Sequence, residues 1–230
     1  MKKSGSLGLV LFLVGVVAVL GGAPFLKGAF YIGKHEGDTL HMAEIVLRMA
    51  AGEWPHRDFM TPIGMLAMAP IALFVHFGAT MGKAIFLAQG LVALILLPVT
   101  VYVAQSRVVP VAGRVVGWAY AAFVMVLCLA LVHGEAEPAI SISMHYNRWA
   151  WAIAYLMVPI VMLEPQGRAR PILDGVIIGF SMAALALLKA TYAVSLAPVM
   201  LVGLLARRWW RVTFWAALAG LSVMAVVTLL

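Results

Sequence analysis

The stretch Thr61-Pro62-Ile63-Gly64-Met65-Leu66-Ala67-Met68-Ala69-Pro70-Ile71-Ala72-Leu73-Phe74-Val75-His76-Phe77-Gly78 decides how this chain is arranged. It is apolar from Ile63 to Phe77, yet Pro62 and Gly78 bracket it and Pro70 interrupts it. A transmembrane helix needs about 20 apolar residues, and a proline inside a helix removes a backbone hydrogen bond. These features predict a re-entrant or interfacial segment over 63–77, one that enters the membrane and returns or lies along it without crossing.

The rest of the chain makes the membrane unavoidable. Hydrophobic residues are 64% of the 230 and charged residues 11%, where a soluble domain carries roughly 25% charged residues. Further apolar runs cover 6–26, 83–104, 115–132, 148–163, 172–188, 191–206 and 212–230. If 63–77 also crossed, the connections holding Arg107/Arg114, Arg168/Arg170 and Arg207/Arg208/Arg211 would all face outward, against the positive-inside rule. With 63–77 turned back, the prediction is an all-α polytopic membrane protein, 1–230 forming a single transmembrane domain of about seven crossings in the cell (inner) membrane. The N-terminus is then cytoplasmic and 27–82, 133–147 and the 189–191 turn are extracytoplasmic.

Met1-Lys2-Lys3 before Leu7–Leu20 resembles a signal peptide, but no small-residue cleavage site follows, so the run reads as a retained first helix. The chain stops at Leu230 within an apolar run, which reads as an N-terminal portion of something longer. The net charge of +7 sits at the ends of apolar runs and forms no basic stripe interleaved with aromatics, which argues against nucleic acid and for topology signals. The one cysteine, Cys128, lies in an apolar run and offers neither a disulfide nor a thiolate metal cluster.

Polar chemistry concentrates in the 27–62 loop. From 39 to 51, Leu40, Ala43, Leu47 and Ala50 recur at helical spacing, with His41, Glu44 and Arg48 on one polar stripe. This predicts an amphipathic helix on the membrane surface that ends at Gly52. Asp38 is placed to cap it, and Glu44 with Arg48 to form an i,i+4 pair. His35, His41 and Glu36 form a candidate metal set, although solvated side chains explain them as simply, and no divalent metal is indicated.

The ordered set Glu36 and Asp38, Ala43-Glu44-Ile45, Gly52 to Phe59, Pro62 to Gly78, Lys83, and Leu187-Leu188-Lys189-Ala190-Thr191-Tyr192 resembles the GT-C superfamily of membrane glycosyltransferases, which includes protein O-mannosyltransferases and the aminoarabinose transferase of lipid A. The resemblance implies transfer of a sugar, with inversion, from a polyprenyl-phosphate donor in the membrane to a lipid, glycan or protein acceptor on the outer face. It implies Asp38 as general base with Glu36 assisting it or orienting the acceptor. It also implies Lys83, Lys189 and Arg148 as cations for the leaving phosphate, with His41, His145, Tyr146 and Tyr192 as substrate contacts. Snorkelling at helix ends is the plainer reading of Lys83 and Arg148. The chain departs from the pattern where Gly37 separates the two acids, where Thr61 precedes Pro62, and where Asn147 stands in place of an aspartate. Two other readings stand beside this one. The first is a transporter or lipid-flipping protein, suggested by ionisable groups at membrane level. The second is a non-catalytic assembly partner.

Overall fold

The computed structural model describes residues 4–27, 36–129, 145–167 and 169–229. The order is α1 (Ser4–Lys27), α2 (Glu36–Ala50), α3 (Met65–His76), α4 (Met81–Val103), a π-helical turn (Ala104–Val108), α5 (Val109–Leu129), α6 (His145–Met162), α7 (Pro171–Leu188), α8 (Ala190–Ala206) and α9 (Trp210–Leu229). Among the described residues β-structure is confined to an isolated bridge between Pro55 and Phe59. The fold is all-α.

Four stretches, Ser6–Leu26, Met81–Leu129, Pro171–Leu188 and Trp210–Leu229, are long and apolar enough to cross a membrane, and α3 and α8 are shorter apolar helices. Their outward faces carry exposed Leu7, Leu11, Leu221 and Val226, which water would penalise and lipid accepts. This is a multi-pass membrane protein. The Met81–Leu129 stretch is two helices, because the chain reverses at Gly113 (φ 83, ψ 169). Gly117 then lies against Val109, where a Cβ would come within 2.3 Å of the valine methyl.

Side-chain contacts sort the helix ends into two groups. Trp118 near the start of α5 meets Gly8 and Phe12 of α1, and Leu129 at the end of α5 meets Gly21. Helices α1 and α5 therefore run parallel, and α4, joined to α5 by the reversal, runs against both. Trp149 Nε1 donates to the Cys128 carbonyl and Tyr120 Oη to that of Tyr155, which sets α6 antiparallel to α5. Arg207 reaches the Met162 carbonyl, joining the ends of α6 and α8. One end of the bundle thus gathers the start of α1 with Arg107, Arg114, Arg170, Arg207, Arg208 and Arg211. The opposite end gathers α2 with Lys83, His145 and Lys189. The end of α1 and the start of α4 share that opposite end, so α2 and α3 make no net passage between ends. Twelve residues of α3 reach about 18 Å at 1.5 Å per residue, short of the ~30 Å hydrocarbon core.

Helices α7 and α9 are held backbone to backbone. Gly175 and Gly179 on α7 face Ala216 and Gly220 on α9, and a Cβ at Gly179 would lie 2.3 Å from the Ala216 carbonyl oxygen. Without water to drive apolar association inside a bilayer, such close approach of small residues supplies the packing.

Two expectations fail in this part of the molecule. Arg107 is not in a connecting loop: the π-turn carries α4 onward and turns Arg107 inward, where it is fully buried against Asp174. The Arg48 partner is Glu53 at 2.6 Å rather than Glu44. The chain doubles back after Gly52 and stacks Phe59 under the guanidinium, 4.2 Å from its carbon, so the non-helical acid is nearer than the one a turn away.

Candidate functional site

Helix α2 starts at Glu36, one turn earlier than its periodicity places it, so Asp38 lies inside the first turn instead of capping it. Both carboxylates occupy the turn where the helix dipole favours negative charge, and both are exposed. The helix has three faces. Met42, Ile45 and Val46 are buried against the bundle, His41 and Glu44 are exposed polar, and Leu40 and Leu47 are 68% and 54% exposed. The apolar stripe read from the sequence therefore points away from the protein. A helix with one face on protein, one exposed and polar and one exposed and apolar suits a membrane boundary.

Asp38 lies close enough to the Tyr146 phenol, at the start of α6, to act on it electrostatically. Tyr146 is in turn within electrostatic reach of Tyr192 on α8. The Tyr192 hydroxyl donates to Asn147 Oδ1 in a short hydrogen bond. Asn147 of α6 and Tyr192 of α8 are thus in direct contact, with Tyr146 within electrostatic reach of Tyr192 and Asp38 of α2 within reach of Tyr146. Lys189 stands three residues before Tyr192, at an extended residue (φ −169, ψ 121) between α7 and α8. Among the described residues no ion pair involves it.

The segment after Pro62 builds the floor. Gly64 N–H donates to the Leu188 carbonyl at 3.0 Å, and a Cβ on Gly64 would sit 2.0 Å from the Leu187 carbonyl oxygen. Only glycine permits that approach, which clamps the start of α3 to the break holding Lys189. His145 is buried, its Nε2 2.7 Å from the Ala67 carbonyl and its ring edge-on to Trp149 at 4.8 Å. A carbonyl only accepts, so Nε2 carries the proton, and His145 acts as a strut between α6 and α3 with no open face for a sugar.

The remaining candidates lie around this group. His41 is exposed one turn beyond Asp38, Arg148 is half-buried next to Asn147, and Lys83 is exposed in the first turn of α4. No hydrogen bond or ion pair among the described residues joins Lys83 to Asp38 or Tyr146. His35, His133, Glu135, Glu137 and Arg168 lie outside the described residues. Among those described, no three His, Cys, Asp or Glu side chains converge as metal ligands.

In the loop after α2, the Trp54 N–H donates to Asp58 Oδ2 at 2.7 Å and Arg57 adds a 3.2 Å ion pair. The Trp54 hydrogen bond first, then Arg57, holds the Asp58 carboxyl below its usual value.

Sequence reasoning missed a second polar cluster at the arginine end. Asp174 accepts from Tyr102 Oη at 2.7 Å and Arg107 Nη2 at 2.7 Å, with side-chain exposures of 0% for Arg107 and 3% for Asp174. Arg107 Nε and Nη1 and Ser106 Oγ are buried with no hydrogen-bond partner among the described residues. The signal was present, since Asp174 is an acid inside an otherwise apolar run, and such a residue requires a counter-ion. Neither a protein-family profile, nor a curated protein, nor a solved structure matches this chain.

Proposed function

We propose that the chain is a membrane glycosyltransferase of the GT-C kind, working at the carboxylate end of the bundle on a polyprenyl-phosphate sugar. The observation that carries this reading is the contact of Asn147 with Tyr192 beside Tyr146, with Asp38 within electrostatic reach of Tyr146 and with Lys189, which makes no ion pair among the described residues, three residues before Tyr192. In the reaction, Asp38 takes the acceptor hydroxyl proton as the acceptor oxygen bonds to the sugar carbon from the face opposite the phosphate. The bond from that carbon to the phosphate oxygen breaks, and its electron pair leaves with the phosphate. Lys189, with Lys83 and Arg148 drawn in by the donor, stabilises that charge. Glu36 orients the acceptor.

In this reading the arginine end is cytoplasmic, the chain crosses about seven times, and α2 and α3 lie at the outer face of the cell membrane. An impermeant thiol reagent then labels cysteines placed near Lys83 in intact cells and fails near Arg170. The reaction is tested by mass spectrometry of envelope lipids and glycans with and without the gene. Loss of one sugar modification supports transfer and identifies donor and acceptor, and an unchanged envelope removes it.

A transporter is the second reading, favoured by the buried Arg107, Asp174 and Tyr102 cluster at a π-turn, since intramembrane ionisable groups mark many ion and substrate paths. Solute uptake into proteoliposomes that Asp174→Asn abolishes and Asp38→Asn leaves intact decides for it.

A further inference from the structure

The arginine end holds a cleft of about 430 Å³ between the first turns of α7 and α9. Pro171 and Asp174 line one side and Arg208, Trp210 and Arg211 the other, with Glu164 at the rim. Two helix N-termini therefore open on the same space, each with the positive end of its dipole. Asp174 is neutralised by Arg107 at 2.7 Å. Arg208 and Arg211 are exposed and take part in no ion pair among the described residues, so the cleft is net positive with Glu164 counted.

A second cavity lies farther along the same two helices. It is an apolar groove of about 850 Å³ along α7, α8 and α9. On α7, Asp174 of the cleft is followed one and two turns later by Ile178 and Met182 of the groove. On α9, Trp210 is followed by Thr213 and Ala217. Residues at those spacings share a helix face, so the charged mouth is aligned with an apolar groove whose lining includes the exposed Val194, Leu201 and Leu221. Both volumes fall in the range of about 300–1,000 Å³ that ligand sites occupy.

We propose that this is a site for an anionic glycerophospholipid, with its phosphate against Arg208, Arg211 and the two helix N-termini and one acyl chain along the groove. The site is independent of the sugar-transfer reading and lies at the opposite end of the bundle. The occupant is anionic because the mouth is net positive, and a lipid because the groove beyond it is apolar over its whole length.

The test is native mass spectrometry of the purified, delipidated chain in neutral detergent. It is titrated separately with phosphatidylglycerol, with phosphatidylcholine of matched chains, and with inorganic phosphate. The site predicts one tightly held phosphatidylglycerol per chain, at least tenfold selectivity over phosphatidylcholine, and no displacement by inorganic phosphate. Arg208→Gln with Arg211→Gln weakens phosphatidylglycerol binding about 30-fold, and Ala217→Phe, which fills the groove, weakens the long-chain lipid while sparing its dihexanoyl analogue. Equal retention of phosphatidylcholine by the unaltered chain, or unchanged binding by a double variant whose circular dichroism is native, overturns the proposal. So does displacement by phosphate alone, which would make it a soluble-anion site. The comparison on the unaltered chain needs no variant to fold.

Discussion

Replacing Arg107 by methionine strands a carboxylate. Asp174 keeps one donor, the Tyr102 hydroxyl at 2.7 Å, and loses the guanidinium at 2.7 Å in a site where its side chain is 3% exposed. Removing one member of a buried ion pair costs about 3–5 kcal/mol, because the remaining charge can neither reach water nor find a substitute. Tyr102→Phe removes a hydrogen bond to a charged group and costs about 1.5–3 kcal/mol. Arg107→Met combined with Asp174→Leu removes both charges and leaves an apolar contact between the π-turn and α7, so it returns to within about 1 kcal/mol of the unaltered chain. The assay is reversible denaturant unfolding in mixed micelles, followed by circular dichroism across all three variants and the parent. The reasoning is refuted if Arg107→Met costs less than about 1 kcal/mol, or if the double variant is no more stable than Arg107→Met alone.

Two glycines and one aspartate give further checks. Gly64→Ala forces a Cβ to within 2.0 Å of the Leu187 carbonyl oxygen. It is expected to release α3 from the α7–α8 break, read as faster hydrogen exchange at the Gly64-position amide, and native protection there would count against the clamp. Gly179→Val places side-chain atoms against the Ala216 carbonyl, 2.3 Å from a Cβ, and should cost several kcal/mol of the kind that overpacked interiors show, whereas Gly15→Ala, where nothing lies within 4 Å, should be neutral or better. Asp58 has its folded pKa lowered from the ordinary 3.8. Its hold on the 54–58 turn is therefore complete at neutral pH and lost as pH falls through the lowered value. The Trp54 amide resonance should move in that acid range, and Asp58→Asn should abolish the movement.

The helices were legible in the chain because hydropathy and length alone specify them in lipid. Pro62, Pro70 and the parity of the arginines point to a turned-back segment, and in the structure α3 is a short apolar helix whose contacts, with those of Gly8 and Gly21 against α5, leave the end of α1 and the start of α4 at one end of the bundle. What escaped was partner choice. Glu44 and Glu53 are equally acidic in the sequence, and only the reversal after Gly52 makes Glu53 the neighbour of Arg48. Arg107 resembles every other basic residue at a helix end, and only a π-turn, which leaves no composition signal, points it inward. The Leu40 and Leu47 stripe was read correctly as apolar, but the face that packs on the bundle is Met42, Ile45 and Val46. This helix has two apolar faces, one buried and one exposed, and periodicity does not say which is which. At the candidate site the sequence named Asp38, Tyr146 and Tyr192 separately. Their relative placement depends on where α2 docks, and His145, grouped with them, is hydrogen-bonded to the Ala67 carbonyl of α3.

Restoring the gene as Asp38→Asn in cells that lack it, followed by mass spectrometry of the envelope, tests the proposed chemistry most directly. The substitution keeps the size of an exposed side chain, so membrane levels of the protein should match those of the parent. The account predicts that the sugar-bearing species restored by the parent stays missing with Asp38→Asn. Full restoration by that variant at equal protein level would contradict it.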